Sequence, residues 1–429
     1  MIDRFFHLTL NDTTIRTEIV AGATTYLTMA YIVFVNPVIL ADAGMDRGAV
    51  FVATCLAAAL ATLLMALLAN YPLALAPGMG INAYFAYGVV KGLHYSWQVA
   101  LGAVFLSGFL FLIISVTPLR SWLVDAIPRS QKMAISAGIG LFLAIIALKD
   151  AGIVAASGET LVTLGDVKAP ATLLASAGFI AMVALDRCAV PGAIILAVLG
   201  TAAAGIALGV SPFFGIAAPP PSLAPTFLQL DLPGALGVGV ATIVFVFLFV
   251  DLFDNTGTLI GVAHRAGLLD ADGRLPRAGR AFAAASLAAM GGALLGTSTV
   301  TSYIESAAGV KAGGRTGLTG VTVAVLFLVT LFLAPLAQSV PVYATAPALL
   351  FVACLMARGF AELDWEDPTE YAPAVVTALA MPLTFSIANG IALGFISYAA
   401  VKLLSGRFAE AGPSMIVLAL LFIVKYAFF

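Results

Sequence analysis

Three acids stand where an acid is costly. Asp251 and Asp254 lie inside the apolar run FLFVDLFDNTGTLIG (247–261), and Glu305 lies inside STVTSYIESAAG (298–309). The rest of the 22 acidic residues read as loop, run-end or terminal positions. Carrying a carboxylate to the centre of a membrane helix costs on the order of 3 kcal/mol, so such a residue marks a binding or ion site by default. Asp251, Asp254 and Thr258 follow i, i+3, i+7 spacing and share one helix face, with Asn255 and Thr256 beside them. Around Glu305 stand small hydroxyls, Ser298, Thr299, Thr301 and Ser302, which can satisfy backbone groups released from a helix. No Lys, Arg or His shares these runs, and His7, His94 and His264 fall at ends or in loops. Acids with no cation beside them are acids that a proton can neutralise. A carboxylate pair near aromatic faces suits a planar, neutral ligand with ring N–H groups. Tyr84 and Phe85, in GMGINAYFAYG (78–88), offer the stacking surface. An anionic ligand would call for Arg, Lys or bare helix N-termini instead.

The elements that hold these residues must be membrane helices. The 429 residues are 62% hydrophobic and 10% charged, against about 25% charged in soluble domains. That composition makes an all-α polytopic protein of the lipid bilayer, and a net charge of −2 gives no reason to expect a nucleic-acid partner. Cys55, Cys188 and Cys354 form no CxxC pair and read as packing residues, so no metal site and no cofactor is expected. The first twenty residues alternate charged and apolar groups and are expected to lie as a short amphipathic helix on the membrane face.

A crossing takes about 20 mostly apolar residues. Runs of that kind lie near 19–40, 49–70, 97–117, 131–148, 169–185 and 192–210. After the Pro-rich AAPPPSLAP (217–225) they resume near 236–263, 281–296, 317–340, 344–360, 371–387, 388–404 and 413–428. The segments 72–90 and 297–312 are apolar but interrupted by Pro, Gly and hydroxyl residues. Basic residues such as Arg120, Arg129, Arg277 and Arg280 gather in the loops of one side, leaving Arg47, Lys91, Lys149 and Lys168 on the other. By the positive-inside rule the N-terminus is then cytoplasmic. DADGR (270–274) is too short for a calcium loop and reads as a solvated turn.

The two interrupted segments recur about 220 residues apart, each between one full crossing and the next. An odd number of spans per repeat turns the second copy upside down, which makes Glu305 the expected inverted counterpart of Phe85. Paired broken segments in two inverted halves point to a transporter's binding site, because non-helical backbone at membrane depth must be buried or line a cavity. APGMGIN lacks the Lys and Ser/Thr of a phosphate loop, which excludes that reading.

Five motifs together resemble the AzgA-like purine permeases, a branch of the nucleobase–cation symporters. They are TEIVAGATTYLTMAYIVFVNP (17–37), APGMGINAYFAY (76–87), FVDLFDNTGTLIG (249–261), TSTVTSYIESAAGV (297–310) and MPLTFSIANGIALGF (381–395), in order along the whole chain. The resemblance implies about 14 spans in two inverted repeats of seven. It divides the chain into a core (1–117 and 234–340) and a gate (118–233 and 341–429). It implies uptake of hypoxanthine, guanine or adenine with protons, Na⁺ and a homodimer being left open. Carried over by motif, the base would meet Asp254 and Glu305, the strand near Ala83, Tyr84 and Phe85, and the flanking Asn82, Thr258 and Ile304. The proton would be carried among Glu305, Asp251 and Asp254. Thr258 departs from the pattern, since uracil-type relatives place a more polar or ionisable group four residues after the acid. That departure leaves Asp251 and Asp254 both open as the base contact.

Two rival functions are weighed. A same-fold carrier of another planar solute or an anion conflicts, in the anion case, with the intramembrane acids. An intramembrane aspartyl protease needs its two acids on different helices, whereas Asp251 and Asp254 share one, so no enzyme activity is expected.

Overall fold

The computed structural model describes residues 2–117, 127–269 and 275–428, so DADGR (270–274) lies outside the described residues. Among the described residues, ten helices are long and apolar enough to cross a membrane, and Ala193–Ala207 and Pro413–Val424 are shorter apolar helices. The chain is thus a multi-pass membrane protein. It divides into two compact units, Met1–Val116 with Asp150–Ala348, and Thr117–Lys149 with Leu349–Phe429.

The first unit begins differently from the expectation. The first twenty residues are not one surface helix: Ile2–Phe6 is a single helical turn or so, and the membrane helix already starts at Ile15. Thr14 caps it by accepting from the Thr17 N–H, and Glu18 is drawn fully inside. The first crossing is also broken. Helix Ile15–Met29 stops, Ala30 and Tyr31 interrupt it, and Ile32–Asp42 resumes with Pro37 inside. Pro37 removes one ladder N–H, the one that would meet the Val33 carbonyl, inside the resumed helix. Helix Arg47–Leu68 follows, capped by Asp46 at the Ala49 N–H.

Both interrupted segments lie in this unit and are extended before they become helical. Leu75–Pro77 is a strand that leads into helix Met79–Ala83 and a π-helical stretch, Tyr84–Gly92. Val300–Ser302 is a strand that leads into helix Ser306–Lys311. The two strands pair antiparallel, with Leu75 opposite Ser302, Ala76 opposite Thr301 and Pro77 opposite Val300. Helices Arg47–Leu68, Ala241–Arg265 and Ala278–Leu295 pack against them. A hairpin of Val154–Ser157 with Leu161–Leu164 had no sequence signal of its own and is nearly all exposed.

The second unit packs Arg129–Asp150, Val342–Met356, Pro368–Leu383, Ile387–Leu404 and Pro413–Phe428 near its core, the first and second of these crossing the unit boundary. The stretch 371–404 is two separate helices turned at Thr384–Ser386, where Phe385 has a φ of 51° and Ser386 caps the second helix at the Asn389 N–H.

Candidate functional site

Two extended strands at membrane depth leave backbone groups that lipid cannot satisfy. The sequence supplies partners for them. The Ala74 N–H donates to the Ser306 hydroxyl at 3.0 Å, and the Tyr303 N–H donates to the Ala74 carbonyl at 3.0 Å. The Leu75 N–H and carbonyl both meet the Thr62 hydroxyl at 3.0 Å. Tyr303 closes the crossing by donating its hydroxyl to the Pro77 carbonyl at 2.6 Å. Pro77 and Gly78 make the strand end here: neither favours helix continuation, and Gly78 is the cap from which Met79–Ala83 starts.

Glu305 occupies the same place in the second segment, as the cap of Ser306–Lys311. By helix start its inverted counterpart is therefore Gly78, and the expected pairing with Phe85 is corrected. The reason is that the first helix already starts at Met79, several residues before Phe85. The Glu305 carboxylate is half-buried and accepts the Tyr31 hydroxyl at 2.7 Å, while its backbone carbonyl accepts the Thr28 hydroxyl at 3.4 Å.

Helix Ala241–Arg265 runs past this crossing with its two acids in different settings. Asp254 is exposed, lies in hydrogen-bonding reach of Thr301, and is close enough to Glu305 for their charges to interact. Beside it on the same face, Gly257 and Gly261 are exposed and a side chain there would meet nothing. Asp251 is 1% exposed and already employed: it accepts from Asn255 Nδ2 at 2.8 Å and from the Thr299 hydroxyl at 3.3 Å. Asn255 in turn accepts from the Ser302 N–H at 2.9 Å and hydroxyl at 2.8 Å, so Asp251 and Asn255 fasten the helix to the second strand.

The other expected residues divide by exposure. Ile304 is exposed next to Glu305. Ala83, Tyr84 and Phe85 are buried, with the Tyr84 ring edge-on to Phe247 at 5.1 Å between centroids. Thr258 is buried too. Asn82 is fully buried in a polar knot: its Nδ2 donates to Asn36 Oδ1 at 2.6 Å, and its Oδ1 accepts from the Ser298 hydroxyl. Asn36 Nδ2 extends the knot to the hydroxyls of Thr54 at 2.7 Å and Thr297 at 2.9 Å. The structure thus leaves Asp254, Ile304 and the face at Gly257 exposed, with Glu305 half-buried, and buries Asn82, Ala83, Tyr84, Phe85, Asp251 and Thr258.

Tyr31 and Asn36 were missed as contributors. The available signal was their polarity inside apolar runs, because a buried hydroxyl or amide needs a partner. In chemical terms exposed Asp254 and half-buried Glu305 can accept N–H hydrogen bonds from a planar ligand, and each can exchange a proton.

The chain matches the Xan_ur_permease family, described as a permease family, over residues 16–393. It is 46% identical to adenine permease AdeP of Escherichia coli over 428 residues, covering 100% of this chain and 96% of that protein. It is also 46% identical to guanine/hypoxanthine permease PbuO of Bacillus subtilis over 431 residues, covering 98% of this chain and 99% of that one. Among solved structures, the transmembrane domain of a cyanobacterial bicarbonate transporter, BicA, superposes with a TM-score of 0.67 at 17% identity, covering 86% of this chain and 96% of that domain. The shared fold is the inverted-repeat transporter fold, and the chain belongs to the Xan_ur_permease family of permeases.

Proposed function

We propose that this permease takes up purine nucleobases, coupled to protons, across the cytoplasmic membrane with its N-terminus inside. The carrying observation is the approach of Asp254 and Glu305 beside a helix face left open at Gly257. Two carboxylates there can accept the N–H edge of a neutral base, Ile304 supplies an apolar contact, and the buried segment Ala83–Phe85 is proposed to back the site. The relatives named as adenine and guanine/hypoxanthine permeases support a purine over other planar solutes. The likeness to a bicarbonate transporter supports the fold only. Transport proceeds by alternating access, the core (1–117 and 234–340) moving against the gate (118–233 and 341–429). Glu305, Asp254 and Asp251 are the groups through which the proton passes.

The test is uptake of radiolabelled hypoxanthine in a permease-deficient host, with adenine, guanine, uracil and bicarbonate as competitors. Purines are expected to compete and the other two are not. Uptake that no purine inhibits would overturn the proposal.

A further inference from the structure

We propose that Tyr31 is a positioning residue for Glu305, holding the acid in place from the break in the first crossing and linking its proton to that crossing's movement. This rests on the reading of Glu305 as a transport acid given above. Tyr31 is fully buried and stands at the interruption between Ile15–Met29 and Ile32–Asp42. Its hydroxyl donates to the Glu305 carboxylate at 2.7 Å, while Thr28, just before the same break, gives its hydroxyl proton to the Thr25 carbonyl at 2.8 Å and lies 3.4 Å from the Glu305 carbonyl. The break in the first crossing is therefore tied to the second broken segment through one acid.

The chemistry of the pair suits an acid that changes state. A phenol can donate to an ionised carboxylate, and its oxygen can accept from a protonated one, so the bond persists in both states with its direction reversed. The groups that face Glu305 come from three elements. Asp254 comes from Ala241–Arg265, Tyr303 from the acid's own segment, and Tyr31 with Thr28 from the first crossing. Tyr303 has committed its hydroxyl to the Pro77 carbonyl at 2.6 Å. Tyr31 thus carries the side-chain hydrogen bond to the Glu305 carboxylate. A helix break is also where a span can flex, since residues at the end of an element can absorb a change in φ and ψ.

The proposal is tested on purified protein in liposomes with two assays, using Tyr31→Phe and, as a reference, Glu305→Gln. One assay is counterflow of labelled against unlabelled hypoxanthine without any pH gradient; the other is accumulation driven by a pH gradient. Removing a hydrogen bond to a charged group is worth at least about tenfold, so Tyr31→Phe is expected to lose about tenfold in driven accumulation. Its counterflow is expected to fall less than its accumulation, and its melting temperature to stay near that of the unaltered protein. Accumulation by Tyr31→Phe equal to the unaltered protein's, with Glu305→Gln impaired, would overturn the role of Tyr31 alone. Equal losses in both assays with a lowered melting temperature would also overturn it, as a purely structural effect. Normal accumulation by Glu305→Gln would instead remove the reading beneath it.

Discussion

Gly78 and Thr301 pass so closely where the two broken segments cross that a Cβ on residue 78 would lie 2.8 Å from the Thr301 hydroxyl oxygen. The backbone at Gly78 has a φ of −78°, which any residue can adopt, so space alone demands glycine here. Gly78→Ala is expected to push the strands apart, at an overpacking cost of about 1–3 kcal/mol. Its melting temperature in detergent should fall and its uptake should be lost together. An unchanged melting temperature with full uptake would show that Thr301 yields freely.

Gly257 makes the opposite case, because a methyl there meets nothing within 4 Å. Gly257→Ala should leave the melting temperature unchanged or slightly raised, since alanine is the better helix former by up to about 1 kcal/mol. If a base lies against this face beside Asp254, the same methyl takes up its space and the KM for uptake rises. Normal KM in a well-folded Gly257→Ala would place the base elsewhere.

These two glycines show what was legible in the sequence and what was not. The interruption of both segments could be read from Pro77, Gly78 and the run of hydroxyls at 297–302, because backbone that leaves a helix in lipid needs such residues. Their pairing into two short strands, and the register Ala76 opposite Thr301, could not, since register depends on tertiary contacts. The same limit hid Glu18, which looked like an acid at a span's edge. It is fully buried and accepts from the N–H groups of Arg315, Thr316 and Thr319 and from the Thr319 hydroxyl, capping helix Gly317–Thr330 from 300 residues away in round terms. Lys402 was hidden likewise: a lysine near the end of an apolar run reads as a snorkelling cation until its partners are known.

Asp251 and Asp254 are separable by substitution. Asp251 is held by Asn255 and Thr299 and bears on the geometry of the crossing, whereas Asp254 faces open space. Asp254→Asn turns one acceptor oxygen into a donor and removes the charge, so an N–H of the base loses a charged partner worth about 1.5–3 kcal/mol. Purine binding by calorimetry should weaken by one to two orders of magnitude, the equivalent of that energy. Asp251→Asn keeps a hydrogen-bonding group of the same size in a buried network and should bind purine more nearly normally. The reverse ranking would assign the base contact to Asp251.

In the second unit, Lys402 is the residue on which stability should depend most. Its side chain is fully buried and its ammonium pairs with Glu370 at 2.6 Å and Glu410 at 2.6 Å. Glu370 is itself largely buried and also accepts from the Ser130 hydroxyl at 2.5 Å and the Tyr398 hydroxyl at 3.2 Å. Lys402→Met strands a carboxylate inside the helix packing, a change that costs about 3–5 kcal/mol in buried pairs. Lys402→Met with Glu370→Gln removes both charges and should recover much of the loss. Melting curves of the two variants, read against the unaltered protein, decide this. A double variant no more stable than Lys402→Met would show that Glu410 or packing, not Glu370, carries the penalty.

The coupling ion is the last prediction. Asp254 and Glu305 stand close together with hydroxyl partners and no cation beside them among the described residues. A sodium site needs several oxygen ligands converging at once, and the Glu305 carboxylate is instead turned toward a single phenol. A proton needs only one oxygen and leaves the acid neutral, which suits a group that must cross low-dielectric surroundings during the transport cycle. Uptake should therefore rise as the outside is made more acidic, collapse with a protonophore, and continue in sodium-free buffer. Glu305→Gln fixes this position as neutral and cannot cycle a proton. In liposomes it should still bind purine with at most about a hundredfold loss, yet fail to concentrate it under an imposed pH gradient. Concentrative uptake by Glu305→Gln would take the proton away from Glu305 and leave Asp254 to carry it, and strict dependence on sodium would replace the proton altogether.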